Sequence, residues 1–136
     1  MLGYGRVGAL VGRACLGLGL NVVGVRASIE KEYRGEDGVT VHPVSCLDSL
    51  LPQAKVLMVT VPGTSTTSGM IDKQRLNLLP RGAILVNVGR GSVINEQVPS
   101  SKNSKKSDNW QDLYESLRSG QLFAAGLDVW WQYPPR

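Results

Sequence analysis

Apolar residues at Val7, Leu10, Val11, Ala14 and Leu18 recur at helical spacing and predict an amphipathic helix that stops at Gly19. The β-branched run Asn21-Val22-Val23-Gly24-Val25 follows and predicts a buried parallel strand. Arg26 to Asp37 is polar and reads as a loop, and Val39 to Val41 as a short strand. Ser45 is placed to cap a helix carrying Leu47, Leu50 and Leu51, which stops near Pro52. Lys55 to Val61 is a second buried strand and Pro62 to Thr67 a loop. Asp72 is placed to cap a helix through Leu76 and Leu79, closed by Pro80-Arg81-Gly82. Ala83 to Asn87 is a further strand. Asp112 to Ser119 is a helix with Leu113 and Leu117 on one face and Gly120 as its stop, and Leu122 to Val129 is the last strand. Gln97 to Gln111 is polar and without periodicity, which predicts a loosely held loop. Strand and helix alternating along the chain mean an α/β fold, a doubly wound parallel sheet in one domain.

Composition changes this picture little. With 136 residues, 42% hydrophobic and 19% charged, the chain is sized and composed for one globular domain. The net charge of +4 comes partly from Lys102, Lys105 and Lys106 in the polar stretch. Those lysines read as a solvated loop; with no recognised nucleic-acid motif, nucleic acid is not an expected partner. Cys15 and Cys46 lie in apolar surroundings, so buried free thiols and a reducing, cytoplasmic location are expected. Met1 to Val25 is largely apolar, but Arg6, Arg13 and recurrent glycines interrupt it, which argues against a targeting or membrane segment.

The chemistry begins at Gly3-Tyr4-Gly5-Arg6-Val7-Gly8, which opens the first helix. In such a fingerprint the first glycine permits a tight turn, the second lets a pyrophosphate approach the backbone, and the third lets helix and sheet pack closely. Amides of Arg6 and Val7 would then face the phosphates from the positive end of the helix dipole. The following helix and strand supply the context that a glycine triplet alone lacks.

Cofactor choice turns on the end of the second strand. An acid there accepts from a ribose 2′-hydroxyl, whereas this chain has Arg26, followed by Ala27 and Ser28. A guanidinium with a hydroxyl beside it suits a 2′-phosphate, so NADP(H) is the preferred cofactor and NAD(H) the alternative, with Glu30 or Glu32 nearby.

The stretch from Leu47 to Gly91, through Thr60-Val61-Pro62-Gly63-Thr64 to Asn87-Val88-Gly89-Arg90-Gly91, resembles the D-isomer-specific 2-hydroxyacid dehydrogenases. Leu113 to Gly120 and Ala125-Gly126-Leu127-Asp128-Val129 continue the resemblance. It implies a nicotinamide-dependent enzyme interconverting 2-oxoacids and D-2-hydroxyacids, of the glyoxylate or hydroxypyruvate reductase kind. By this resemblance Arg90 holds the substrate carboxylate, Asp128 bonds the nicotinamide carboxamide, and Thr60, Val61, Pro62, Val88 and Gly89 line the cofactor. Thr64 and Thr67 match family threonines, with turn-making an equal role. Family members are typically homodimers, and some relatives of this fold act as corepressors, which makes a non-catalytic interaction module the alternative.

The resemblance also implies a chain cut short at both ends. The strand before the fingerprint is reduced to Met1 and Leu2, and Tyr133 stands where the family has a glutamate. The family's acid–base histidine falls past Arg136, and the substrate domain is absent. His42 is the only histidine and reads as a strand-end residue. Trp130, Trp131 and Tyr133 read as packing residues. The chain alone is therefore expected to be catalytically silent.

Overall fold

The computed structural model describes residues 1–94 and 111–130. The predicted lysine loop lies outside the described residues, as do Trp131 and Tyr133. The chain runs α1 (Arg6–Gly17), β1 (Val23–Arg26), β2 (Tyr33–Arg34), β3 (Thr40–Pro43), α2 (Leu47–Leu50), β4 (Val56–Val59), α3 (Lys73–Leu78), β5 (Ala83–Asn87), α4 (Gln111–Arg118) and β6 (Leu122–Leu127). None of the described helices is long and apolar enough to cross a membrane.

Two ladders, β1-β3-β2 and β4-β5-β6, are joined by a single residue. Leu2 bridges Val25 on one side and Val59 on the other, both in parallel sense. Its amide donates to Met58 O at 2.8 Å, and its carbonyl accepts from Thr60 N at 2.9 Å. Gly3 N donates to Val25 O and Val25 N to Met1 O, each at 2.9 Å. Met1 and Leu2 thus occupy the centre of the sheet, with backbone groups paired on both sides. Counting Leu2 as the first parallel strand, the order across the sheet is third, second, first, fourth, fifth, sixth. That is the dinucleotide-binding order, with its switch point beside Leu2. β2 is an added antiparallel edge, inside the stretch expected as loop.

The main core gathers Leu2, Val25, Leu47, Leu51, Leu57, Val59, Ile71, Leu76, Leu85 and Leu122. Asp72 caps α3 as expected, its Oδ1 accepting from Arg75 N at 2.8 Å. Gln121 closes the other end of that helix, donating to Leu79 O at 2.6 Å. Ser45 does not cap; it lies within a 3-10 turn, Val44–Cys46, that leads directly into α2. Cys15 and Cys46 are free thiols but only half-buried.

The apolar periodicity of α1 misplaces its packing face. Val7, Leu10 and Leu18 are 55%, 61% and 79% exposed, while the buried positions are Gly8 and Gly12. The reason is proximity. A Cβ on Gly12 would stand 2.9 Å from Cε2 of Tyr4, and one on Gly24 across the gap 2.7 Å from Cγ of the same ring. Tyr4 therefore fills the space between helix and sheet, and only glycine fits on either side of it. Its hydroxyl donates to Asp37 Oδ2 at 2.6 Å, and Asp37 Oδ1 accepts from Val39 N at 3.1 Å. Burial, reinforced by the hydrogen bond to Asp37, pushes the Tyr4 hydroxyl up to about 12. The same bond holds the Asp37 carboxyl below the usual carboxylate range.

Candidate functional site

Parallel strands direct their C-terminal ends to one edge of the sheet, and each predicted site residue follows one of those ends. Gly3 to Gly8 follow Leu2; Arg26 to Ser28 end or follow β1; Thr60 to Pro62 follow β4; Val88 to Arg90 follow β5; Asp128 follows β6. The crevice outside the carboxyl ends at the switch point is where open α/β sheets take ligands.

The fingerprint loop is set by backbone geometry. Gly3 has φ +99°, and a Cβ there would lie 2.8 Å from Val61 Cγ1. Gly5 N turns back to Gly3 O at 2.8 Å, and Ala9 N begins the helical ladder on Gly5 O at 2.8 Å. The amides of Arg6, Val7 and Gly8 fall in the first turn, where no intrahelical acceptor exists, and no side chain caps the helix. A Cβ on Gly8 would collide with Gly3 O, whereas one on Gly5 would meet nothing within 4 Å. Gly8 is thus needed for the protein's own packing, while Gly5 borders open space in front of uncapped amides. Such a place suits an anionic pyrophosphate.

Thr60 closes the loop from the opposite strand. Its hydroxyl donates to Gly3 O at 2.7 Å, with Leu2 O at 3.3 Å. Val61 is buried against Gly3 and Gly89, where a Cβ on Gly89 would stand 2.5 Å from Val61 O. Pro62 is exposed, and its carbonyl accepts from Thr67 Oγ1 at 2.6 Å. Thr67 also accepts from Thr64 N at 2.9 Å, so these threonines build the turn. Tyr4, by contrast, turns its side chain into the packing between α1 and the sheet, and its amide donates to Val25 O at 2.8 Å.

At the end of β1, Arg26 Nε donates to Ser28 Oγ at 2.8 Å; Arg26, Ala27 and Ser28 are all exposed. Glu32 is instead engaged by His42, whose Nδ1 lies 3.0 Å from Glu32 Oε2. His42 stands on β3 and Glu32 just before β2, across the sheet from Arg90.

At the end of β5, Val88 is exposed and its amide donates to Val59 O at 3.1 Å. Arg90 is exposed, with Nη1 donating to Gly89 O at 2.7 Å. Its stem lies against Gly63, where a Cβ would be 3.0 Å from Arg90 Cγ. Asp128 is exposed, and its amide donates to Asn87 O at 3.1 Å. Asn87 opens the Asn87–Gly91 run named in the sequence, but sequence reasoning gave it no role. It is 0% exposed, donates from Nδ2 to Arg90 O at 2.9 Å, and accepts on Oδ1 from Gly89 N at 3.0 Å. A buried polar residue closing an apolar strand was the available signal.

The strand order, the glycine loop and the open first turn of α1 define a dinucleotide-binding domain of the doubly wound class. More narrowly, the chain belongs to the D-isomer specific 2-hydroxyacid dehydrogenases, matching their NAD-binding domain over residues 1–99. It is 33% identical over 135 residues to a D-3-phosphoglycerate dehydrogenase of Archaeoglobus fulgidus, covering 99% of this chain and 22% of the relative. To a glyoxylate/hydroxypyruvate reductase B of Erwinia tasmaniensis it is 35% identical over 136 residues, covering 98% of this chain and 37% of the relative. A crystal structure of a D-isomer specific 2-hydroxyacid dehydrogenase from Xanthobacter autotrophicus Py2, in complex with NADPH and MES, superposes with a TM-score of 0.78 at 29% identity, over 99% of this chain and 49% of that one. The chain therefore spans less than half the length of these relatives.

Proposed function

We propose that this chain is the cofactor-binding part of an oxidoreductase that interconverts 2-oxoacids and D-2-hydroxyacids, with NADP(H) preferred over NAD(H). The observation that carries the cofactor choice is the Arg26–Ser28 pair, held at 2.8 Å at the end of β1. A guanidinium organised by a neighbouring hydroxyl offers donors to a 2′-phosphate, and no carboxylate stands at Arg26, Ala27 or Ser28 to repel it. Of Glu30 and Glu32, the two acids that could have served NAD(H), Glu32 is paired with His42. The NADPH bound in the Xanthobacter relative agrees with this reading.

Arg6, Val7 and Gly8 would hold the pyrophosphate by their amides, with Gly5 leaving the backbone open to it. Asp128 would accept from the nicotinamide carboxamide. A bound nicotinamide dinucleotide supplies or takes the hydride. Arg90 would hold the substrate carboxylate through two parallel hydrogen bonds and polarise the adjacent carbonyl, a role its permanent charge and planar fork suit. The names of the Erwinia and Archaeoglobus relatives, a glyoxylate/hydroxypyruvate reductase and a D-3-phosphoglycerate dehydrogenase, support a substrate among small 2-oxoacids and 2-hydroxyacids. Among the described residues nothing fills the acid–base histidine's role, since His42 stands on β3, separated from the β5 end that carries Arg90 by β1, Leu2 and β4. The chain by itself is thus proposed to bind cofactor without turnover.

The test is calorimetric titration of the purified chain with NADPH and, separately, NADH, for the unsubstituted protein and Arg26→Ala. Tighter NADPH binding that the substitution abolishes supports the reading. Equal or tighter NADH binding overturns the cofactor preference, and rapid NADPH oxidation with glyoxylate overturns the expectation of no turnover.

A further inference from the structure

Asn87 is a buried residue whose side chain and backbone reach three proposed site residues, Gly89, Arg90 and Asp128. Its Nδ2 donates to the Arg90 carbonyl at 2.9 Å, and its Oδ1 accepts from Gly89 N at 3.0 Å. Its own carbonyl accepts from Asp128 N at 3.1 Å. The residue is fixed from both sides, opposite Val59 of β4 and Leu127 of β6. The segment 87–90 is therefore a side-chain-closed turn on a rigid strand, and the first residue after β6 is tied to the same point.

We propose that Asn87 is a positioning residue whose carboxamide closes the 87–90 turn, setting Arg90 and the Val88–Gly89 lining, and so governs the nicotinamide end of the cofactor site without affecting its adenosine end. This rests on the reading of Val88 and Gly89 as cofactor lining. The chemistry requires an amide. An apolar side chain would leave Gly89 N without its acceptor, and a buried unsatisfied donor is costly. An aspartate would keep the acceptor for Gly89 N but would set a carboxylate oxygen against the Arg90 carbonyl, where Asn87 now donates. Gly89 cannot drift to compensate in the direction of β4, since it already lies close against Val61 O. The adenosine end, at Arg26 and Ser28, hangs on β1 across the switch point and makes none of these contacts.

The test separates the two ends by ligand. The full chain is titrated with NADPH and with 2′,5′-ADP, which carries the adenosine 2′-phosphate but no nicotinamide; the ratio of the two affinities measures the nicotinamide contribution. Asn87→Asp, close to isosteric, and Asn87→Ala are each expected to keep 2′,5′-ADP affinity within about twofold and to shrink the ratio about tenfold, the effect of one or two lost hydrogen bonds. Asp128→Ala should shrink the ratio similarly, and because Asp128 N bonds only the Asn87 backbone carbonyl, which every one of these substitutions keeps, the double variant Asn87→Ala/Asp128→Ala should show about the product of the two losses. A double variant no weaker than either single one, an unchanged ratio, or equal losses for both ligands each overturns the proposal, the last assigning Asn87 to general stability. A ratio near one in the unsubstituted chain overturns the reading of Val88, Gly89 and Asp128 as the nicotinamide end, and the Asn87 proposal with it.

Discussion

The Thr60 hydroxyl donates to the Gly3 carbonyl at 2.7 Å, joining the loop after β4 to the fingerprint loop after Leu2. Two loops far apart in the chain meet at the switch point, and one hydroxyl fixes the turn from which α1 is aimed. Thr60→Val, nearly isosteric, should cost about 1 kcal/mol in denaturant unfolding and weaken NADPH binding about fivefold. Thr60→Ser should retain both. Equal behaviour of the two variants would mean that Thr60 acts by shape alone.

The three fingerprint glycines should separate by function. Gly5→Ala places its Cβ in open space, so the fold should keep its unfolding midpoint while NADPH affinity drops at least tenfold. Gly8→Ala collides with Gly3 O and should destabilise the protein itself by about 1–3 kcal/mol. Chemical denaturation beside ligand titration would reveal the split; a stable Gly8→Ala protein would refute the packing role.

Tyr4 gives an alkaline signature. Its hydroxyl is raised from 10.0 to about 12 in the folded state, so the native protein holds that proton longer than the unfolded chain does. Its contribution is fully present below pH 10, and it is lost as pH rises from 10 through about 12. Urea unfolding over that window should show falling stability, with the Tyr4→Phe protein showing a flatter profile. Asp37 works in the opposite sense. With its carboxyl lowered, its contribution is present above the ordinary carboxylate range and fades as pH falls through the folded value.

The outward stripe of α1 and its buried glycine face make opposite predictions from those of periodicity. Leu10→Lys should change stability by no more than about 0.5 kcal/mol, because the side chain is already exposed. Gly12→Ala gains about 1 kcal/mol in helix propensity yet should destabilise overall. Its Cβ would press the Tyr4 ring, which cannot retreat because Gly24 closes the other side. Thermal melts of the two variants would check the contrast.

Much of this fold was legible in the chain. Ala83 to Asn87 was readable as a strand from its unbroken apolar run, and β5 occupies those residues. Asp72 was readable as a cap from its place before a helical stripe. The fingerprint was readable because glycine is required there by the backbone and not by burial. What escaped was set by contacts between distant segments. The face of α1 was misassigned because close approach to the sheet selects glycine, which carries no hydrophobic signal. The 3-10 turns on either side of α2, Val44–Cys46 and Leu51–Gln53, were missed because three-residue turns leave apolar spacing too short to tell a 3-10 from an α-helical turn.

The sequence by itself determined the alternation of strands and helices, the positions of the glycines, and the residue types at each strand end, because these follow from backbone sterics and local periodicity. Only the tertiary structure decided that Leu2 would serve as a whole central strand, that Tyr4 would fill the gap between α1 and β1, and that Asn87 would tie Arg90 to Asp128. Each of these depends on hydrogen bonds and contacts between residues that become neighbours only when the parallel sheet closes around Leu2.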